Sequence, residues 1–184
     1  MEINRNFWKN KRVLVTGHTG FKGAWLTLWL QTLGAKVITI SLRPDTKPNL
    51  FKLIRKNLNI ESNYLDLRNF NEVLKIINRS KPEIVMHLAA EAIVSKSLTN
   101  PLKTFTSNII GTVNLLEALR SSKSVKVILV VTSDKVYKNT NKKKAFTEGD
   151  ILGGVDPYSA SKSATEIIVS SYYNNFFKKR KIPL

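Results

Sequence analysis

Val13-Leu14-Val15-Thr16-Gly17-His18-Thr19-Gly20-Phe21-Lys22-Gly23 decides the fold. An apolar, strand-like run enters glycines at positions 17, 20 and 23, and an apolar, helix-like run leaves them. That order predicts a strand–turn–helix corner. Gly17 permits a tight turn, Gly20 lets backbone amides approach a pyrophosphate, and Gly23 lets the helix press onto the strand. Three glycines alone are a weak signal, so the weight rests on what surrounds them.

Four short apolar runs read as strands covered on both faces: Arg12–Thr16, Lys36–Ile40, Glu83–Leu88 and Lys126–Val131. They are rich in Val and Ile and lack the polar alternation of a half-exposed strand. Ser62–Leu65 is a weaker fifth. Helical stretches separate them, at Phe21–Leu33, Asn69–Ser80, Pro101–Ser121 and Pro157–Phe177. Alternating strands and helices predict an α/β fold, a doubly wound parallel sheet with right-handed crossovers. Trp25 and Trp29, four apart on the first helix, are expected in the core. Lys138–Lys144 reads as a surface loop, and Gly153-Gly154 as a turn before the last helix.

Composition narrows the class. The chain has 184 residues, enough for one domain with a sizeable core, and 42% of them are hydrophobic. It has no cysteine, which removes disulfides, thiolate metal sites and a cysteine nucleophile, and no metal cluster is expected. Met1 to Arg12 is polar and charged, unlike a signal peptide, and Gln31, Gly34 and Lys36 interrupt the apolar stretch from Ala24 to Leu42. A cytoplasmic protein with no membrane partner is the expectation. The net charge of +17 has two readings, a lysine-rich surface or an anionic partner such as nucleic acid. Its dense clusters, Lys142-Lys143-Lys144 and Lys178-Lys179-Arg180-Lys181, lack the interleaved aromatics of a single-strand groove, so no nucleic-acid partner is expected.

The last helix opens Asp156-Pro157-Tyr158-Ser159-Ala160-Ser161-Lys162. Tyr158 and Lys162 share a helical face, and an ammonium beside a phenol eases its deprotonation, so Tyr158 is a candidate proton-transfer group. Lys162 is also placed to hold a ribose hydroxyl. Thr132-Ser133-Asp134-Lys135 follows the strand at Lys126–Val131, where ligands meet a doubly wound sheet. These residues either line a cleft with Tyr158 or form an ordinary polar loop. His87, at the end of its strand, reads as structural. Asp66 either accepts from an adenine amino group or caps a turn.

In order and spacing, the glycine corner, His87-Leu88-Ala89-Ala90, Asn108-Ile109-Ile110-Gly111-Thr112 and Tyr158-x-x-x-Lys162 resemble the extended short-chain dehydrogenase/reductase superfamily. Within it the pattern is most similar to the CDP-glucose 4,6-dehydratase family. Gly17–Gly23, Thr132-Ser133-Asp134-Lys135-Val136-Tyr137 and Gly153-Gly154-Val155-Asp156-Pro157-Tyr158-Ser159 carry that resemblance. It implies a Rossmann-like domain over residues 1–184 that binds NAD. It also implies a cofactor site formed by Gly17, His18, Gly20, Phe21, Lys22, Gly23, Ser41, Asp66, Leu67, Leu88, Ala89, Ala90, Asn108, Thr132, Tyr158 and Lys162. The catalytic set it implies is Ser133, Asp134, Lys135, Tyr158 and Lys162, acting on a nucleotide sugar: Tyr158 takes the 4-hydroxyl proton, Lys135 the C5 proton, and Asp134 protonates the departing 6-hydroxyl. Lys135 must be uncharged to act as a base, which calls for burial or neighbouring cations.

Three departures qualify the resemblance. Family members run to about twice this length, so the resemblance implies an incomplete sheet, without the last strands and a C-terminal substrate domain, and with the Lys126–Val131 strand left as an apolar edge. A homo-oligomer or a complementing C-terminal half would complete it. Glu91 and Ala92 stand where the family has Gln-Pro. Ser41-Leu42-Arg43 lacks the carboxylate that commonly binds the NAD ribose, and Arg43 admits the 2′-phosphate of NADP. An NAD-binding module without turnover is the second reading, and a basic nucleic-acid binder a remote third.

Overall fold

A computed structural model describes residues 4–139 and 145–184. The elements run α1 (Arg5–Trp8), β1 (Arg12–Thr16), α2 (Phe21–Thr32), β2 (Lys36–Ser41), α3 (Leu50–Ile54), β3 (Glu61–Tyr64), α4 (Phe70–Ser80), β4 (Ile84–His87), α5 (Val94–Thr99), α6 (Pro101–Phe105), α7 (Gly111–Arg120), β5 (Val127–Val130) and α8 (Pro157–Tyr172). All five strands are parallel, in the order β3-β2-β1-β4-β5. The order reverses between β1 and β4, which opens a crevice beyond their carboxyl ends.

The central strands β1, β2 and β4 are buried on both faces, as their unbroken apolar runs require, whereas β3 and β5 at the two edges are only partly covered. Val13, Val15 and Val37 face Leu30 of α2 and Trp8 of α1. Leu14, Ile40 and Val85 face the opposite layer, where α4, α7 and the helical turn that follows α8 supply Ile77, Leu115 and Phe177. Asn69 caps α4, its side chain accepting from the Glu72 N–H, and Asp156 does the same for α8 through the Ser159 N–H, with Pro157 at the first helical position.

Differences from the sequence expectation have local causes. The expected helix at Pro101–Ser121 is one helical path with a π-helical turn at Thr106–Ile110 between α6 and α7. A second such turn, Tyr173–Phe177, extends α8. Helices α1, α3 and α5 have four to six residues, too short for periodicity to reveal them. Trp25 and Trp29 are not core residues: they remain 51% and 50% exposed. Gly23, Ala24, Thr27 and Leu30 are buried instead. The small residues let α2 approach the sheet, and that turns the indoles outward.

Of the expected loop Lys138–Lys144, residues 140–144, with the cluster Lys142-Lys143-Lys144, lie outside the described residues. β5 is the sheet edge, with Val127 and Leu129 exposed. Its outer side is met by the chain itself, since the Ile128 N–H donates to the Pro183 carbonyl at 3.0 Å and Ile182 is buried. No helix among the described residues is long and apolar enough to cross a membrane.

The approach of α2 to β1 gives a prediction. A Cβ on Gly23 would lie 2.1 Å from the Gly17 carbonyl oxygen, a backbone atom that cannot step aside. Gly23→Ala should cost about 1–3 kcal/mol or more in urea unfolding. An unchanged midpoint would refute this reading of the corner.

Candidate functional site

The crevice is built from the strand tips. Gly17 has φ +80, and a Cβ there would meet the Ala89 amide nitrogen at 2.7 Å, so the tips of β1 and β4 touch through a residue without a side chain. Gly20 precedes α2 in extended geometry, with no side-chain cap. The first backbone N–H groups of α2 therefore have no partner within the helix and face outward with the positive end of its dipole. Gly20 itself is exposed, and a Cβ on it would meet only the Gly17 carbonyl oxygen, at 3.4 Å. Phe21 and Lys22 are exposed beside it.

A buried relay fixes the β1 and β4 tips. Thr112 Oγ1 donates to the Asn108 carbonyl at 2.7 Å, so it must accept from His87 Nε2, 2.9 Å away. His87 Nδ1 is then the acceptor for the Thr16 hydroxyl at 2.6 Å. The oxygen of that hydroxyl in turn accepts the Leu88 and Ala89 N–H groups, each at 3.2 Å. Proton counting thus assigns the Nε2–H tautomer to a neutral His87. Burial, with the nearby Lys162 cation, pulls its pKa down to about 3. This is the structural role expected of His87.

The β2 tip is closed by similar counting. The Thr19 hydroxyl donates to the Leu42 carbonyl at 2.9 Å, so Ser41 must donate to Thr19 at 2.7 Å. Ser41 keeps only acceptor capacity. His18 is fully buried edge-on to Phe51, with ring centroids 4.9 Å apart, and among the described residues its ring nitrogens have no partner of good hydrogen-bond geometry, the Ile40 backbone being the one hydrogen-bonding group acting on the ring. Burial and the Arg55 cation lower its pKa to about 4. Arg43 is exposed and lies over the Tyr64 ring, 4.6 Å from its centroid.

Beyond β3, Asp66 accepts the Arg68 N–H at 2.9 Å and takes the Arg68 guanidinium on both carboxylate oxygens. That bond holds the Asp66 pKa below the usual carboxylate range. Leu67 is buried in the core, with its carbonyl bonded by Asn114 at 2.9 Å. Asn108, expected at the cofactor, is buried as a clamp. Its oxygen accepts the Glu91 N–H (2.8 Å), and its amide donates to the Glu91 carbonyl (3.1 Å) and Ser161 Oγ (2.8 Å). Its donors are spent inside the protein, so whatever it contributes to a ligand it contributes by holding the Leu88-Ala89-Ala90 turn against α8. Glu91, where the sequence departs from the family pattern, pairs with Lys103 at 2.7 Å.

Helix α8 brings the remaining candidates to the β5 tip. Lys162 is buried, and its Nζ donates to the Val131 carbonyl at 2.8 Å. Burial lowers its pKa to about 8, against the pull of Glu166. Ser163 Oγ donates to the Val136 carbonyl at 2.6 Å, which docks the 3-10 turn Asp134–Val136 on α8. Ser133 Oγ caps that turn by accepting the Lys135 N–H at 3.2 Å. A Cβ on Gly154 would meet the Ser159 carbonyl carbon at 2.2 Å, so the 153–154 turn lies directly on the start of α8. Tyr158 is nearly buried one turn before Lys162, and its N–H donates to Ser97 Oγ of α5 at 3.2 Å. Asp134 and Lys135 are exposed, and Lys135 lacks the burial that a neutral amine calls for. Sequence reading missed Ser97, Ser161 and Glu166. Ser97 sits in a six-residue helix, while the other two lay within the recognised last helix and gave no signal of their own.

With this geometry in place, comparison with known proteins is decisive at the family level. The GDP-mannose 4,6 dehydratase family profile matches residues 14–178. The chain belongs to that family. It is 44% identical over 175 residues to the CDP-glucose 4,6-dehydratase of Salmonella typhimurium, covering 95% of this chain and 49% of the relative. Among solved structures, the UDP-glucose 4-epimerase of Thermotoga maritima with UDP-glucose superposes with a TM-score of 0.79 at 26% identity, over 90% of this chain and 52% of that one. The UDP-glucose 4-epimerase of Thermus thermophilus in complex with NAD gives 0.78 at 28% identity, over 90% and 52%. The family assignment agrees with the Rossmann-like sheet, and the chain spans about half the length of the relatives it matches.

The two buried histidines predict an acid limit. Each ionises near pH 6.5 in the unfolded chain but only at about 3 (His87) or about 4 (His18) when folded. Acidification therefore loads protons onto the unfolded state first. Their contribution is complete above pH 6.5 and falls with pH below it, by up to about 1.4 kcal/mol per unit per histidine. Urea midpoints should drop between pH 7.5 and pH 5, and His18→Phe should flatten that slope. A pH-independent midpoint would contradict it.

Proposed function

We propose that the chain is the cofactor-binding half of a nucleotide-sugar 4,6-dehydratase that uses NAD and acts on CDP-glucose. The observation that carries this reading is the convergence at one crevice of an uncapped helix start and the Tyr158–Lys162 pair. The first N–H groups of α2 open beside an exposed Gly20 beyond the β1 tip, while Lys162 bonds the Val131 carbonyl beyond the β5 tip and Asn108 ties Ser161 of α8 to Glu91 beyond the β4 tip. The residues fit a dinucleotide: the glycine corner leaves room for a pyrophosphate, the helix dipole favours its charge, and the acceptor-only Ser41 suits a ribose hydroxyl. The NAD complex of the Thermus thermophilus epimerase and the dehydratase relative at 44% identity support the same assignment. Arg43 is the one feature that leans towards NADP.

Bound in this crevice, NAD supplies a hydride acceptor that later returns the hydride, so no net oxidation results. The protein handles the protons. Tyr158 takes the proton of the sugar 4-hydroxyl as C4 is oxidised, and the Lys162 ammonium and Ser133 stabilise the charge on oxygen. The 4-keto group acidifies the C5 hydrogen, which Lys135 removes, while Asp134 protonates the 6-hydroxyl so that it leaves as water; as the hydride returns to C6, Lys135 gives the proton back to C5. Lys135 is exposed here, so a bound sugar, or the remainder of a longer protein, must cover it for this role. The product is a 4-keto-6-deoxy sugar nucleotide.

The test joins this chain to the second half of the Salmonella relative and follows keto-sugar formation from CDP-, UDP- and dTDP-glucose by NMR. Turnover of CDP-glucose is expected. Tyr158→Phe should lower it by about 10²-fold or more while NAD binding stays intact. Full turnover in that variant would remove Tyr158 from the chemistry, and preference for another nucleotide would correct the substrate.

A further inference from the structure

Glu166 is used by none of the steps above, yet it sits one turn beyond Lys162 on the face of α8 that meets the β5 tip. The Thr132 hydroxyl donates a hydrogen bond to its Oε1. Three consecutive contacts therefore join α8 to the segment after β5: Lys162 to the Val131 carbonyl (2.8 Å), Glu166 to Thr132, and Ser163 to the Val136 carbonyl (2.6 Å). Two of the three end on backbone carbonyls. Only the Thr132–Glu166 contact is charged on the helix side and directed at a side chain, so of the three it alone specifies a residue type in that segment.

We propose that Glu166 is a positioning residue for Lys162 and Ser133: it holds the Thr132 hydroxyl so that the β5 tip stays in register with α8, and it presents a carboxylate towards the Lys162 ammonium. The reading that Lys162 and Ser133 serve a reaction rests on the proposed function, but the contact itself does not.

The surroundings of Lys162 make Glu166 the relevant anion. His87 of β4 is neutral. Tyr158 lies one turn earlier on α8, and Asp134 and Lys135 stand exposed in the 3-10 turn. Lys96 of α5 pairs with Asp45 at 3.5 Å, Lys103 of α6 pairs with Glu91 at 2.7 Å, and Glu117 of α7 pairs with Arg120. A buried ammonium is costly without an opposing charge, and Glu166, four residues on along the same helix, is the carboxylate placed to oppose the loss of its proton.

The experiment is a titration of Lys162 in the 184-residue chain, labelled with 13C at lysine Cε and assigned from the signal that disappears in Lys162→Arg. It needs neither cofactor nor substrate, so its failure is distinct from failure of the functional reading. Glu166→Gln should lower the midpoint by about half a unit to one unit, and Glu166→Asp should restore most of it. Thr132→Val, which keeps the carboxylate but frees it, should shift the midpoint and broaden the Ser133 amide signal. If Glu166→Gln unfolds the chain, the Thr132→Val result decides. An unchanged Lys162 midpoint in a folded Glu166→Gln or Thr132→Val variant overturns the proposal, because a purely structural latch would lower the melting temperature without moving that titration.

Discussion

The structure depends on the approach of α2 to β1. Where a Cβ on Gly23 would fall 2.1 Å from a backbone oxygen, no other residue is accommodated without displacing the helix. That contact selects the inward face of α2, turns Trp25 and Trp29 outward, and leaves the first N–H groups of the helix uncapped at the crevice mouth. The same corner presses Gly17 onto Ala89, which ties the first crossover to β4 and thereby to the switch in strand order. Fold and candidate site share this constraint, since the close packing that orders the sheet also leaves the helix dipole open to an anion.

A second constraint is polar. The relay Thr16–His87–Thr112–Asn108 runs from β1 through β4 to the helical run α6–α7, and Asn108 passes it on to Ser161 of α8. Every donor in that chain has a defined acceptor, which fixes one tautomer and so one geometry. Such a network holds Tyr158 and Lys162 at a set height above the strand tips. It also gives the protein a reason to keep a histidine whose burial makes it sensitive to acid.

Much of this was legible in the sequence, and the particular misses are physical. The strands at Arg12–Thr16 and Lys36–Ile40 are plain in the sequence because burial on both faces demands unbroken apolar runs, and the second runs one residue further, to Ser41. The Tyr158–Lys162 helix announced itself through Asp156 and Pro157, whose capping roles are local. Trp25 and Trp29 misled because a helix apolar all round does not say which side faces inward, and Gly23 decides that only through a tertiary contact. Asn108 and Glu166 act through partners 17 to 53 residues away in the chain, a distance at which spacing carries no signal. Lys135 is exposed in this chain, and whether a lysine is buried is a tertiary property that no local pattern encodes.

The central claim is that the corner at residues 17–23 is a dinucleotide site as well as a packing device. Calorimetric titration of NAD into the 184-residue chain and into Gly20→Val tests it most directly, because position 20 has extended geometry and open space that tolerate a larger side chain. The account predicts saturable binding to the wild-type chain, a stabilisation of about 2.7 kcal/mol at a hundred times Kd, and loss of binding in a Gly20→Val variant that melts like wild type. Equal NAD binding by both proteins, or none by a folded wild-type chain, would contradict it.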